Sequence, residues 1–472
     1  MIDTQAIRSK ILDLAMRGQL TEQLSADGSG EAFCKTFRSK PKRYIPISHD
    51  DIPFSIPSNW KWCRFSEIAD FRLGKTPTRG EYRYWENGIY PWVSIADMSA
   101  KALSKTKEKI TQDAAEECFS GGITPRGTLI MSFKLTIGKV AILGVDAFHN
   151  EAIISIFPRN DEDCIFRNYL MHVLPYSAKQ GKIYGAIKGD TLNKDSLSDM
   201  LIPIPPLAEQ QRIVATINQS FSILDNIDAL QEQYSDNLTK MKSKLIDAAI
   251  QGKLTEQLPE DGSAADLYQR IQSEKQELIK AGKIKKEKQR PEITNEEVPF
   301  SIPSNWKWTH LGNVSYIVRG GSPRPIKEYI TTREDGINWI KIGDVEKGGK
   351  YIYSTHEKII PEGESKSRRV YPGDFLLTNS MSFGRPYISK IEGCIHDGWL
   401  LIHGLGGFDP DYLYYLLSST YLYSQFTEKA SGSTVDNLNI DKVKAAVIPL
   451  PPLSEQRRIA KKIDEVMPLF EK

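Results

Sequence analysis

Cysteine is scarce and scattered. The five residues, Cys34, Cys63, Cys118, Cys164 and Cys394, are odd in number and never spaced as CxxC. That argues against a structural zinc and for a reducing, cytoplasmic compartment. No apolar run approaches the roughly 18 residues of a membrane helix, and the opening MIDTQAIRSK lacks the apolar core of a signal peptide. Neither charge sign dominates: 62 Lys and Arg against 60 Asp and Glu leave a formal net charge of +2, so any nucleic-acid surface must be local. Signatures of catalysis are missing too. There is no GxxxxGK[ST] phosphate loop. The pairs Pro205–Pro206 and Pro451–Pro452 follow Ile204 and Leu450 and precede Leu207 and Leu453. They are not the Asn/Asp-Pro-Pro-aromatic loop an adenine methyltransferase needs to hold a flipped base. The triplet Glu364-Ser365-Lys366 sits in a polar stretch and reads as solvated surface. His149 and His396 occupy corresponding positions without a nucleophile or ligand set, and read as structural. The chain is expected to be non-catalytic, with no cofactor and no metal.

What the sequence does have is duplication. PFSIPSNWKW occurs at Pro53–Trp62 and again at Pro299–Trp308. IPIPPLAEQQRI (Ile202–Ile213) returns as IPLPPLSEQRRI (Ile448–Ile459), and the segment Arg8–Gly30 resembles Lys242–Ala264. A period this long means two similar domains rather than a solenoid of small repeats. The repeat is also cut at an unusual point. Lys472 corresponds to Asn226 and Met1 to Ser235, so the two ends together restore nearly one further copy of the segment from about Pro206 to Leu254. The repeat is therefore circular, and the simplest geometry is a pseudo-twofold with the chain ends close together.

After each Pro-Pro the pattern becomes helical. Pro205–Pro206 suit a helix start, with Glu209 in the first turn. Ile213, Ile217, Phe221, Leu224 and Ile227 follow, then Tyr234, Leu238, Met241, Leu245 and Ala248, with Gln231 as a polar break. Alternating four and three steps over several heptads are a coiled-coil signal, and the unbroken helix would span roughly 60 Å. The second copy carries Ile459, Ile463, Met467 and Phe470 and then stops; Ile7, Ile11 and Leu14 supply its missing half. Two such helices should pair antiparallel. Two ordinary helices in separate cores are the plainer reading.

Between the helices, about Pro53–Leu201 and Pro299–Val447, short β-type runs are bounded by Gly and Pro: TLIMSF (Thr128–Phe133), KVAILGV (Lys139–Val145), DFLLTNS (Asp374–Ser380). Each region reads as a mixed α+β globule. Landmarks recur: Gly74–Pro77 with Gly320–Pro323, Trp92 with Trp339, Gly138-Lys139 with Gly384-Arg385. The remainder has diverged, as expected of one architecture with two ligands. Trp60, Trp62, Trp306 and Trp308 are the same in both copies and read as scaffold; the cluster Tyr82, Tyr84, Trp85, Tyr90 and Trp92 reads as packing before base stacking. A basic linker precedes each globule, Lys35–Tyr44 and Lys275–Arg290, the second being longer. Such runs are usually solvated; phosphate attraction is the alternative.

SIPSNWKW, the G-x-[ST]-P turn and the doubled IPxPPLxEQxRI together resemble the DNA-specificity subunit of type I restriction–modification systems, over essentially the whole chain. The resemblance implies two target recognition domains, each reading half of a split double-stranded DNA site. Long antiparallel coiled-coil helices would hold them apart and dock two modification (methyltransferase) subunits, with restriction subunits joining the assembly. The implied division is 1–30, an N-terminal helix and turn completing the second helical region; 31–201, the first recognition domain with its linker; 202–264, the first long helix and turn; 265–447, the second recognition domain; and 448–472, the second helix. The candidate helix-pair and partner residues are Ile7, Ile11, Ile213, Ile217, Phe221, Leu224, Leu238, Met241, Leu245, Ile459, Ile463 and Phe470. Candidate DNA contacts are basic residues near Gly-marked turns. They are Lys75, Arg79, Arg83, Lys134, Lys139, Lys182 and Lys188 in the first globule. In the second they are Arg319, Arg324, Lys327, Arg368, Arg369, Arg385 and Lys429. Arg and Lys meet guanine edges and phosphates alike, and the sequence does not sort the two roles. The rival reading is a coiled-coil adaptor carrying two globules that bind ligands other than DNA.

Overall fold

A computed structural model describes residues 1–37, 46–99, 102–161, 163–180, 184–186, 189–346, 348–379, 384–428 and 438–470. The chain divides into two compact units, Met1–Glu232 and Gln233–Lys472. Each contains one globule together with helical segments.

In the first unit, helix α1 (Thr4–Met16) begins at Asp3, whose carboxylate accepts the Ala6 N–H. It ends at Gly18, where φ is +67° and a Cβ would lie 2.4 Å from Pro57. Only glycine suits both the left-handed backbone and that contact. Strand β1 (Lys61–Arg64) comes from the repeated NWKW string. The main sheet is built from β2 (Ala69–Leu73), β3 (Leu129–Ser132), β4 (Val140–Leu143) and β5 (Ile153–Pro158), in the order β2-β5-β3-β4 with the short strand Ala102–Leu103 beyond β4. The four long strands pair antiparallel; Ala102–Leu103 joins β4 in parallel. Every residue of β3 is buried, as a central strand covered on both faces should be. Its alternate side chains serve two cores: Leu129 and Met131 pack with helix α2 (Ile165–Gln180), and Ile130 packs with Val93, Leu103 and Ala141 on the other face.

The two repeated joints of the first globule are neighbours. Strand β6 (Leu201–Ile204), from the IPIPP string, pairs antiparallel with β1, Lys61 opposite Ile204 and Arg64 opposite Leu201. Tyr169 in α2 donates its hydroxyl to the Pro203 carbonyl at 2.7 Å. Helix α3 (Leu207–Ile250) then runs unbroken for 44 residues, about 66 Å at 1.5 Å per residue. The expected partner of this helix arrives in two pieces. Along its first half lies α1, running antiparallel: Ile2 bonds Gln231, Thr4 donates to Asp228 at 2.5 Å, and Arg8 bridges Asp225 and Asp228 at 2.8 and 2.9 Å. Ala15 and Met16 share a core with Ile213 and Ile217 further back along α3.

The second unit repeats the plan. Ala249 and Ile250, at the end of α3, share a core with Ile459, Ala460 and Ile463 of α6 (Leu453–Val466). Gly252, with φ +71°, is the counterpart of Gly18: a Cβ there would lie 2.4 Å from Pro303. Between them come α4 (Ala264–Lys280), α5 (Pro410–Ser418) and strands β7 (Lys307–His310), β8 (Ser315–Arg319), β9 (Phe375–Thr378), β10 (Pro386–Ser389), β11 (Trp399–Gly404) and β12 (Val447–Leu450). β7 pairs with β12 as β1 does with β6, and the main sheet has the order β8-β11-β9-β10 with Tyr351–Ile352 beyond. The stretch Lys275–Arg290, expected to be a linker, is not one throughout. Its first six residues belong to α4, because Leu267, Tyr268 and Ile271 give that helix a buried face. Lys275 is turned inward to the Gly312 carbonyl at 2.7 Å, and Lys444 fixes Glu287 at 2.7 Å. The corresponding run in the first unit falls mainly on 38–45, outside the described residues.

One buried carboxyl in each unit ties these parts together. Glu209, fully buried, accepts from Trp60 Nε1 at 2.8 Å, Gln23 at 2.5 Å and Thr21 at 3.2 Å. Glu455 accepts from Trp306 at 2.8 Å, Gln257 at 2.8 Å and Thr255 at 3.2 Å. The adjacent Gln210 and Gln456 donate to the Pro205 and Pro451 carbonyls, both at 3.0 Å. One turn on, Arg212 holds Asp27 and Arg458 holds Asp261; the Arg458 guanidinium brings the Asp261 carboxyl down to about 2. Removing the indole donor strands a buried acceptor, so Trp60→Phe should cost about 2 kcal/mol and Trp306→Phe a similar amount in its own unit. Thermal unfolding of the two variants checks this; equal stability to the parent would contradict it.

Candidate nucleic-acid interface

Sheet register determines which candidate residues share an end of the globule. In the first unit Leu73, at the end of β2, lies opposite Ile154, which also faces Met131 in β3. The segments leaving that end are Gly74–Pro77 and the β3–β4 loop, Phe133–Lys139. They carry Lys75, Lys134 and Lys139, of which Lys75 and Lys139 are exposed. Short backbone ties hold both: Gly74 N–H to Ile153 O at 3.1 Å, Lys75 N–H to His149 O at 2.9 Å, Phe133 N–H to Ala152 O at 2.9 Å. The Lys139 N–H donates to Ser132 Oγ at 3.1 Å and the Gly138 N–H to the Ser132 carbonyl at 2.9 Å, closing the loop. The Leu192 N–H joins the Phe133 carbonyl at 2.9 Å, which brings the chain after Tyr184–Thr191 to the same end. Lys182 and Lys188 themselves lie outside the described residues.

The same end of the second globule is built alike from different residues. Arg319 closes β8 opposite Leu400, and Arg385 opens the return after β9, its N–H on Thr378 Oγ1 at 3.0 Å. Arg319 Nε donates to the Asp397 carbonyl at 3.1 Å, and Arg324 reaches the Asp397 carboxylate at 3.3 Å beside Ser322 at 2.8 Å. Lys327 is exposed. Lys429 lies outside the described residues.

Other candidates spend their charge internally. Arg79 clasps Glu108 with both guanidinium nitrogens, at 2.5 and 3.0 Å, and lies 4.0 Å from the Trp85 ring centre. Arg83 clasps Glu117 at 2.8 Å twice, beside the Tyr84 hydroxyl. Arg369 pairs with Glu392 at 2.7 Å, and Arg368 bonds the Ser367 carbonyl at 3.0 Å. The aromatic cluster is largely packed, with Tyr84 and Trp92 buried and Tyr82 exposed. His149 is buried with Nε2 2.5 Å from Ser155 Oγ, and His396 Nε2 accepts the Ile342 N–H at 3.1 Å. Among the described residues no group of His, Cys, Asp and Glu could hold a metal ion.

The helix candidates divide by burial. Ile213, Ile217 and Leu224 are buried in the first unit, with Ile11 and Phe221 packed against that core, and Ile7 is exposed. Ile459 and Ile463 are buried in the second unit with Leu245 alongside. Leu238 and Phe470 are partly buried and Met241 is exposed. Sequence reading missed the Glu209 and Glu455 centres, taking Glu209 only as a first-turn acid. The signal was present: Thr21, Gln23, Trp60 and Glu209 each recur in the second copy.

Two sheet domains of one plan, each closed by a repeated two-stranded stem and carried on repeated helical joints, define a duplicated two-domain architecture. The type I restriction modification DNA specificity domain matches residues 57–239 and 303–471, and the chain belongs to that family. The Escherichia coli type I restriction enzyme EcoEI specificity subunit is 25% identical, over 97% of this chain and 88% of its own. The EcoAI specificity subunit of the same organism is 24% identical, over 98% and 88%. A chain solved in work on complex assembly and conformational transition of the type I R-M system shares the fold, with a TM-score of 0.54 at 19% identity, covering 89% of this chain and 93% of that one. The adaptor reading finds no support.

Burial pushes the His149 imidazole down to about 4. The unfolded chain takes up a proton near pH 6.5 that the folded unit refuses. This contribution to stability is therefore present above about pH 6.5 and is lost as pH falls toward 4, by about 2 kcal/mol between pH 7 and 5. His149→Asn should flatten the pH dependence of unfolding over that window; an unchanged slope in chemical denaturation would contradict the assignment.

Proposed function

We propose that the chain is the non-catalytic DNA-specificity subunit of a cytoplasmic type I restriction–modification complex. Each unit reads one half of a split, asymmetric site, and the helices dock two modification subunits, with restriction subunits joining them. The observation that carries this reading is the pair of equivalent sheet ends bearing different residues: Lys75, Lys134 and Lys139 on one, Arg319, Arg324 and Arg385 on the other. One architecture with two unlike reading surfaces is what a split, asymmetric sequence requires. Support for partner docking comes from apolar residues left exposed on α3: Ile223 and Leu230 in the first unit, Tyr234 and Met241 in the second.

Exchanging Pro53–Leu201 for the same region of a relative should change one half of the sequence methylated in cells and leave the other half and the gap as they were. Methylome sequencing reads this directly, and a change in both halves would defeat the one-unit, one-half assignment. For the partners, Leu230→Glu should weaken binding of the modification subunit about tenfold, the scale of a lost interface anchor, at unchanged melting temperature. Native mass measurement of the parent complex should show two modification subunits per chain; saturation at one would contradict the docking proposal.

A further inference from the structure

The β3–β4 loop of the first unit holds one residue that its own fold does not explain. Leu135 has φ +66°, a conformation that leucine adopts at a steric cost. Its side chain is 57% exposed, so the cost is not offset by burial. Nor is the loop slack. Ser132 Oγ bonds the Thr136 carbonyl, the Thr136 N–H reaches the Lys134 carbonyl at 2.8 Å, and Gly138 seats against the Pro175 backbone, where a Cβ would come within 3.1 Å. A tightly closed loop thus presents an apolar side chain in a strained conformation. Backbone strain kept at an exposed position is a reason to look for function there.

The surroundings indicate what it meets. Leu135 lies between Lys134 and Lys139 in a loop that shares its sheet end with Lys75, and Leu73, also exposed, closes β2 at that same end, with β5 between β2 and β3. Lysines at this end attract phosphate, and leucine contributes neither charge nor hydrogen bond. On the base edges of the major groove the apolar group is the thymine methyl. In sequence, the second copy also carries an apolar residue without a branch at Cβ at the corresponding place, Met381, which lies outside the described residues.

We propose that Leu135 is a specificity-determining residue of the first unit, packing on a thymine methyl at one position of its half-site. This rests on the DNA-reading function proposed above. The test uses the complete chain assembled with its modification subunits on the duplex identified by methylome sequencing. Each thymine of the half-site assigned to the first unit is replaced in turn by uracil, which removes the methyl alone. At one position the parent should lose about fourfold in affinity, the worth of roughly one buried methyl-sized group (~0.8 kcal/mol). Leu135→Gly should abolish that difference, and Leu135→Met should keep it. Glycine accepts φ +66° without strain, so Leu135→Gly should melt no lower than the parent. A merely structural leucine would instead lower the melting temperature and leave the uracil response intact. The proposal is overturned if no thymine methyl matters, or if the methyl effect survives in Leu135→Gly. It is equally overturned if Leu135 inserts between bases as a wedge, seen as bright 2-aminopurine fluorescence with affinity indifferent to the methyl. A parent complex with no sequence preference would remove the DNA-reading function and this proposal together, whereas a selective complex indifferent to Leu135 removes only the latter.

Discussion

The arrangement depends on a buried carboxyl accepting an indole N–H. Burying Glu209 is unfavourable unless its oxygens are satisfied; the acceptor stands at the start of α3, and its donors come from two other stretches, the turn after α1 and the loop before β1. Satisfying the carboxyl therefore fixes all three relative to one another. Gln210 then closes the first turn of α3 onto Pro205. Because the same donors surround Glu455, the two units share this restraint although their globules have diverged. The paired Pro-Pro-Leu-x-Glu-Gln strings are what this packing looks like when written as sequence.

Much of the fold was legible because duplication marks what cannot change. The strands at Leu129–Ser132, Val140–Leu143 and Phe375–Thr378 follow from short β-branched and aliphatic runs between turn residues, and the long helix follows from its heptad spacing. Contacts made across the sequence were not legible. Nothing local shows that Lys275 turns inward to the Gly312 carbonyl, so a charge run read as linker was in part a helix with a buried face. Likewise Arg79 and Arg83 sit beside turns as DNA contacts should, yet each has a glutamate partner about 30 residues away in the chain that spacing rules do not find. The left-handed backbone at Leu135 is equally silent in the sequence, where the string around it reads as an ordinary turn.

The basic residues fall into two physical groups. Arginines clasped by carboxylates have already given up hydration and mobility, and they shape the loops that carry them. Lys75, Lys139 and Arg385, exposed at the sheet ends, are among those whose charge acts on solvent and on whatever approaches. With a net charge of only +2 over 472 residues, attraction to a polyanion must come from such local groups and be sensitive to salt.

The ribbon formed by β1 and β6, and its counterpart β7 with β12, has an architectural consequence. The chain enters the first globule beside the point where it leaves, since Lys61 stands opposite Ile204. Everything between these residues, α2 included, hangs from one two-stranded stem, while the carboxyl centre, α1 and α3 lie outside it. A globule of different size or strand content fits the same stem provided its two ends meet there. The joints thus act as a socket, and recombination between duplicated gene segments at these strings can deliver a new reading head without disturbing the frame that holds it.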